Sequence, residues 1–158
     1  MKKINTLLLA LLIIFLISCD KDRDDIDNNY ILLEMQQRNE MLEYDNPNFE
    51  LSLYGYNETV ADAEATLIVS QDFGADEFPF TVRMDIPADP YAEIPNIEDN
   101  TNARFYITIQ WDSDDNGQNC AGDIDLDNSI QNVGLININR RDAQDIYLGT
   151  IPETSSCQ

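Results

Sequence analysis

Two stretches of alternating apolar and polar residues constrain the fold of this chain more than any other feature. In the first, apolar residues occupy every second position from Phe78 to Ile86, and in the second they do so from Phe105 to Trp111. Because side chains along a β-strand point to opposite faces in turn, this spacing predicts two strands with one buried face each. Trp111 is in phase with the buried face, so we expect it in the core. Pro79 predicts that the first strand lies at a sheet edge, since proline cannot donate a ladder hydrogen bond.

Four weaker strand candidates flank these two, each bounded by Gly, Pro, Asn or Asp. They are Phe49–Tyr54, Glu64–Ser70, Val133–Asn139 and Asp145–Ile151. Six or seven short strands without helices between them predict an all-β fold. We expect a single antiparallel β-sandwich of the immunoglobulin or transthyretin type over residues 47–158. The segment Ala88–Asn102 contains Pro90 and Pro95 and is predicted to form a long connection between the two sheets.

Residues 30–46 permit two structures. Ile31, Met35, Arg38 and Leu42 lie at helical offsets, and Asn46-Pro47 follows, which predicts a short amphipathic helix. The apolar run at Tyr30–Met35 also permits an edge strand.

The N-terminus has the order of features of a secretory signal. Lys2 and Lys3 precede the apolar run Leu7–Ile17, whose 11 residues are fewer than the ~20 of a membrane-spanning helix. The run ends in Leu16-Ile17-Ser18-Cys19, which resembles the lipobox of bacterial lipoproteins. This resemblance implies that residues 1–18 are a signal peptide cleaved after Ser18, and that Cys19 is acylated, for example by palmitate, on its thiol and its new amine. The alternatives are an ordinary secreted protein and an uncleaved anchor.

Residues 19–29 follow as an acidic segment in which Ile26 is the only large apolar residue. A segment of this composition cannot bury enough apolar surface to fold, so we expect a flexible tether. It resembles the export signal of surface-displayed lipoproteins of Bacteroidota. That resemblance implies a protein on the outer membrane that faces the exterior, and a periplasm-facing protein is the alternative.

The charge balance restricts the partners. Nine basic residues stand against 30 acidic ones, a formal net charge of −21. Nucleic acids and anionic lipid surfaces bind clustered Lys and Arg, so neither is expected as a partner. The membrane contact is instead predicted to be the lipid on Cys19.

The three cysteines suggest one disulfide. If Cys19 carries lipid, Cys120 and Cys157 remain in an exported chain, and an intramolecular bridge between them is predicted. Two free thiols or an intermolecular bond are the alternatives. A zinc site is not expected, because the chain has no histidine and no closely spaced cysteines.

The segment that follows Trp111 has the spacing of a metal loop. Counted from Asp112, acid or amide side chains lie at positions 1, 3 and 5, a glycine at 6 and an acid at 12. This spacing resembles the calcium loop of EF-hand and dockerin-type proteins. The resemblance implies a calcium ligand set of Asp112, Asp114, Asn116, Gln118 through its carbonyl, and Asp123, with a sharp turn at Gly117.

Three departures separate this loop from that pattern. Asp123 stands where a glutamate is usual, no helix enters the loop, and Cys120 occupies a position that often binds calcium through water. A solvated turn is the alternative, because Asp and Asn are favoured turn residues. Directly afterwards, Asp123, Asp125 and Asp127 alternate with Ile124 and Leu126, which predicts three carboxylates on one face of an extended strand.

Catalytic motifs are lacking. Without histidine the chain has no Ser-His or Cys-His pair, and it contains no nucleophile elbow and no phosphate loop. We therefore expect a non-enzymatic envelope lipoprotein with no catalytic residues.

Exposed tyrosines offer a binding function. Tyr54, Tyr56, Tyr91, Tyr106 and Tyr147 include positions that alternation places outward, where rings could stack on sugars or anchor a protein. The alternative is that they cover half-buried sheet surface. Two further functions follow: a glycan-binding accessory protein, if the outward tyrosines form one platform, and a structural subunit of an envelope complex, if Tyr30–Tyr44 presents an apolar face.

Overall fold

The computed structural model describes residues 29–38, 41–62 and 64–152, and they form eight β-strands in two sheets that pack against each other. The strands are β1 (Tyr30–Gln37), β2 (Asn48–Asn57), β3 (Thr66–Gly74), β4 (Phe80–Asp85), β5 (Ala103–Gln110), β6 (Ile124–Leu126), β7 (Leu135–Ile136) and β8 (Gln144–Thr150). Sheet I has the order β4-β1-β8-β6 and sheet II the order β3-β2-β5-β7. The predicted all-β sandwich is confirmed. None of the described residues belongs to a helix long and apolar enough to cross a membrane.

Alternation places one face of each long strand in the core between the sheets. In β5, Phe105, Ile107 and Ile109 are buried, whereas Arg104 and Gln110 are exposed. β4 follows the same pattern and is the edge strand of sheet I, beginning directly after Pro79 as predicted. Trp111 is fully buried, which confirms its expected place. The other buried core residues of β1, β2, β4 and β8 are Ile31, Leu33, Met35, Phe49, Leu51, Leu53, Phe80, Val82, Met84, Ile146 and Leu148.

The helix predicted over residues 30–46 is wrong. Tyr30–Gln37 is strand β1, and the described residues 41–46 have no regular secondary structure. Ile31, Leu33 and Met35 are all fully buried, because the period of two that they also share matches the pleat of a strand. The alternative of an edge strand is right in type but not in position, since β1 lies between β4 and β8.

One strand pair departs from the predicted antiparallel arrangement. β1 and β8 are parallel, with Leu33 opposite Gln144 and Met35 opposite Ile146. Every other pair among the described strands is antiparallel. The chain changes sheet at every connection except β2–β3. The first and last strands lie side by side in sheet I, and they run in the same direction.

The strand predicted over Val133–Asn139 is reduced to the two residues of β7. Gly134 has a positive φ of 77° directly before it, and the Arg140 N–H donates to the Asn137 carbonyl in a turn directly after it. The turn residues of this segment therefore leave room for only two residue pairs between β7 and β5, Phe105 with Ile136 and Tyr106 with Leu135.

The predicted long connection over Ala88–Asn102 is present and carries the chain from β4 in sheet I to β5 in sheet II. It contributes Ile94 to the core. Ile94 packs against Gly55 of β2, where an added Cβ would lie 2.8 Å from Ile94 Cδ1 and 3.1 Å from Phe105 Cε1. Gly55 is thus required by close packing behind the sheet.

We expect Gly55→Ala to destabilise the protein by about 1–3 kcal/mol, because the added methyl overpacks a filled core. Urea unfolding followed by tryptophan fluorescence measures the change. Gly74→Ala is the matched control, since a Cβ at Gly74 meets no atom within 4 Å. Equal midpoints for the two variants would contradict this account of Gly55.

Candidate functional site

The loop between β5 and β6 is anchored at its start by Trp111. The indole packs on Tyr44 and Phe49, with ring centroids 5.2 Å and 4.9 Å away, and its N–H donates to the Asn46 carbonyl at 2.7 Å. The Asn46 N–H in turn donates to the Ser113 carbonyl at 3.2 Å. The first residues of the loop therefore have a fixed position on the core.

Asp123 closes the same loop from its other end. Its side chain is fully buried. Oδ1 accepts from the Ser113 N–H at 2.7 Å, the Ser113 hydroxyl at 3.0 Å and the Asp114 N–H at 3.3 Å, while Oδ2 accepts from the Cys120 N–H at 2.8 Å. A buried carboxylate is stable only with such partners, and this one binds both halves of the loop together.

Three of the predicted calcium ligands converge. One carboxylate oxygen from each of Asp112, Asp114 and Asp123 lies within 4.8 Å of the others. Asp112 also accepts from the N–H groups of Asn116 at 3.0 Å and Gly117 at 2.8 Å. Gly117 has a φ of 85°, so the sharp turn predicted there is present.

The other two predicted ligands are placed differently. Asn116 donates from its Nδ2 to Asp114 Oδ2 at 2.8 Å, and its Oδ1 accepts from the Gln118 N–H at 2.9 Å. The structure thus joins Asn116 to the carboxylates through nitrogen, and joins Gln118 to the loop through its own N–H.

Sequence reasoning did not single out Asn119. Its side-chain oxygen is buried and accepts no hydrogen bond in the described part of the chain. It lines a cleft of about 520 Å³ together with Asp112, Glu50 and Asp72. Only the fold brings the last two residues to this loop, so no local signal in the sequence could have found the cleft.

Within the described ranges, Asp125 and Asp127 are not part of the cluster that Asp123 forms with Asp112 and Asp114. Burial raises the pKa of Asp125. The pKa of Asp127 is lowered by two hydrogen bonds from Ser129, and the bond from its hydroxyl has a larger effect than the bond from its N–H. Asp125 and Asp127 therefore have separate local environments, and the shared carboxylate face stays a prediction.

Cys19 and Cys157 lie outside the described residues. Lipidation of Cys19 and the pairing of Cys120 with Cys157 both stay predictions.

Apolar and aromatic side chains form a row across the outer face of sheet II. Tyr54 on β2 lies opposite Tyr106 on β5, Leu67 on β3 lies opposite Tyr54, and Leu135 on β7 lies opposite Tyr106. Side chains at directly opposite positions project from the same face of a sheet. We call Leu67, Tyr54, Tyr106 and Leu135, with Tyr56 beside them, the tyrosine row.

The rings of Tyr54 and Tyr56 both contact the ring of Tyr106. The Tyr54 and Tyr106 rings are stacked, with centroids 5.4 Å apart and planes 13° from parallel, and Tyr56 lies 6.2 Å from Tyr106. The pKa of Tyr106 is raised, mainly by partial burial of its phenol and to a smaller extent by the neighbouring phenols of Tyr54 and Tyr56. Leu67 and Leu135 are 50% and 46% exposed, so both ends of the row are open to solvent.

A β-bulge aligns the row. β2 and β3 shift register between Leu53 and Tyr54, so that Val69 pairs with Leu53 but Leu67 pairs with Tyr54. The extra residue, Ile68, packs against the core beside Val69. The bulge thereby turns Leu67 to the outer face.

Polar groups border the row on both sides. On one side Ser52 pairs with Ser70 and Thr108, and the two serine hydroxyl oxygens lie 3.0 Å apart. On the other side Arg104 lies opposite Tyr56. The Arg104 guanidinium forms an ion pair with Glu58 and donates to the Thr101 and Ala103 carbonyls.

The remaining predicted tyrosines lie elsewhere. Tyr91 packs edge-on against Phe105 at 5.5 Å, and its hydroxyl accepts from Asn139 Nδ2 at 3.0 Å. Tyr147 is on sheet I, where it lines a depression with Arg38 and Ser129. Of the five tyrosines, the structure brings together Tyr54, Tyr56 and Tyr106.

Comparisons with known proteins add little to this geometry. Neither a protein-family model nor a curated protein matches the chain. Among solved structures, the chain is similar to an alternative pilotin from the type II secretion system of Vibrio cholerae. The identity is 15% and the TM-score 0.38, over 75% of this chain and 93% of that chain. A TM-score this low supports no conclusion about function.

Proposed function

We propose that this protein is a non-enzymatic lipoprotein of the bacterial outer membrane, anchored through acyl chains on Cys19, whose tyrosine row binds a glycan. The lipobox at Leu16–Cys19 supports the anchor. Several acyl chains on one cysteine hold a protein firmly, whereas a single chain binds only reversibly. Residues 19–28 lie outside the described residues.

Lipidation predicts that cells grown with an alkyne-labelled fatty acid incorporate the label into the wild-type protein but not into Cys19→Ala. In-gel detection of the label after immunoprecipitation measures it. Label is the readout because an uncleaved signal sequence could also hold the variant at the membrane. Cys120→Ala is the control and should keep the label; an unlabelled wild type, or a labelled Cys19→Ala, would contradict the anchor.

The stacked pair of Tyr54 and Tyr106 within the tyrosine row is the observation that carries the glycan function. Aromatic faces have a negative quadrupole, and the C–H groups on the flat face of a sugar ring can pack against them. The hydroxyls of Ser52, Ser70 and Thr108 border the same surface. This combination of apolar faces and nearby hydrogen-bonding groups suits a ligand that is apolar on its ring faces and polar at its edges.

The exposure of the tyrosine row favours binding over simple coverage of the sheet. The leucines at both ends of the row are about half exposed, so apolar surface is contiguous across four strands and faces solvent. Isolated exposed apolar residues are ordinary, but contiguous apolar patches with a polar rim mark binding sites.

The alternative of a structural subunit in an envelope complex has less support. Its marker was an apolar face on Tyr30–Tyr44. In β1, however, Ile31, Leu33 and Met35 are directed into the core, and the Arg83 guanidinium covers the Tyr30 ring at 4.2 Å from its centroid.

Glycan binding predicts that the mature protein in detergent is retarded in native gels containing a neutral polysaccharide that it recognises. Xylan, glucomannan, galactomannan and mixed-linkage glucan are suitable probes. We expect Tyr54→Ala and Tyr106→Ala each to weaken binding about tenfold or more, as loss of a central aromatic contact does. Tyr54→Phe should retain it, because the ring remains.

Tyr147→Ala, on sheet I, is the matched control and should behave as wild type. Thermal melting checks that each variant is folded. Absence of retardation in every gel, or equal retardation of Tyr54→Ala and wild type, would refute the glycan function.

We further propose that the loop of residues 112–123 binds a structural calcium ion. The convergence of Asp112, Asp114 and Asp123 supports this, since like charges at such separations repel one another and a cation among them would offset that repulsion. The unpartnered oxygen of Asn119 in the cleft beside Asp112 is a further hard oxygen donor of the kind calcium prefers.

We expect calcium to raise the melting temperature of the wild type, because a ligand that binds the native state stabilises that state. At a calcium concentration 100 times the Kd, the stabilisation is about 2.7 kcal/mol. The double variant Asp112→Asn, Asp114→Asn should not respond. Calorimetric titration and thermal melting measure the effect, with magnesium as the control ion. The charge-matched variant Glu93→Gln, Asp142→Asn should respond as wild type; an equal response of both double variants would indicate screening of charge, not a site.

A further inference from the structure

A cleft of about 490 Å³ continues the tyrosine row at its β7 end. Leu135 and Arg104 line this cleft and also belong to, or border, the row. The other walls include Tyr91, Asn100 and Asn137. The volume is within the range of roughly 300–1,000 Å³ of small-ligand sites. The row and the cleft therefore form one continuous surface.

Side-chain amides dominate the polar chemistry of the cleft. Asn137 Oδ1 accepts from the Asn139 N–H at 3.0 Å, and Asn137 Nδ2 donates to no described residue. The Asn100 side chain makes no hydrogen bond within the described ranges and is exposed. The Tyr91 hydroxyl accepts from Asn139 and keeps its own proton to donate. Such groups both donate and accept, which matches hydroxyl groups that do the same.

The charge of the surface excludes an anionic ligand. Arg104 is the basic side chain that lines the cleft, and its charge is compensated by Glu58 and two backbone carbonyls. Glu50 and Asp72 lie on the same outer face of sheet II, beyond the serines that border the row. A carboxylate or phosphate on the ligand would meet acidic groups, and the described residues of the row and the cleft offer no cation other than the compensated Arg104.

The dimensions favour a ligand of several units. Leu67 to Leu135 crosses three interstrand spacings, about 14 Å at ~4.8 Å each. We propose that the ligand is a neutral oligosaccharide chain, with one unit stacked on Tyr54 and Tyr106 and the following units passing Leu135 into the cleft, where Asn100 and Asn137 bind their hydroxyls. This inference rests on the proposed glycan function and specifies the class and length of the glycan.

The test is calorimetric titration of the mature protein in detergent with xylo-, manno- and cello-oligosaccharides, each from the monosaccharide to the hexasaccharide. We expect the affinity for one series to rise at least tenfold with length and then level off. Asn100→Ala and Asn137→Ala should remove most of the gain from the added units and leave the affinity for the shortest bound oligosaccharide unchanged. Tyr54→Ala should weaken binding at every length.

Asn128→Ala is the matched control, because Asn128 is exposed and lies outside both the row and the cleft. An affinity independent of length, or full length dependence in both cleft variants, would overturn the inference and leave the glycan function standing. Equal or tighter binding of polygalacturonate fragments of the same lengths would overturn the neutral class alone. Absence of binding in every neutral series would overturn the inference together with the function on which it rests.

Discussion

The pleat of β5 couples the core of this protein to its outer surface. Phe105 and Ile107 are buried between the sheets, so Tyr106 between them must face outward. A shift of one residue in the pairing of β2 with β5 would exchange the two faces and expose the core residues to water. The energy that buries the core therefore also fixes Tyr106 opposite Tyr54, whereas Leu67 joins the tyrosine row through the bulge at Ile68.

The same strand fixes the acidic loop. β5 ends at Gln110, and Trp111 continues the inward phase into an aromatic cluster with Tyr44 and Phe49. From this anchor the chain turns outward, and Asp123 returns it to the core through hydrogen bonds to Ser113. Both candidate surfaces are consequently attached to one rigid element, with the row on the face of the strand and the loop at its end.

Local patterns in the sequence predicted the strands whose faces differ most in polarity. β4 and β5 alternate strictly, and their buried faces agree with expectation, while their ends differ from it by one or two residues. A helix was predicted at β1 because Ile31 and Met35 fit both the period of two of a strand and the offset of four of a helix. Only the pairing of β1 with β4 on one side and β8 on the other selects the strand. The parallel pairing of β1 with β8 depends on the path of the whole chain, which periodicity does not contain. The tyrosines were recognised singly, but the row required a register and a bulge at Ile68 that no local signal specifies.

Gly55 shows how closely the outer surface depends on the interior. Tyr54 and Tyr56 both lie on the outer face of sheet II, so Gly55 between them faces the core. The space beside Gly55 is filled by Ile94 from the connection between the sheets. A larger residue at position 55 would push this connection away from the core or lift β2 from β5. The connection also carries Tyr91 and leads into Asn100, both of which line the cleft beside Leu135. Packing at one glycine thus holds the two ends of the surface in register, with the stacked tyrosines on the sheet and the amides beyond its edge.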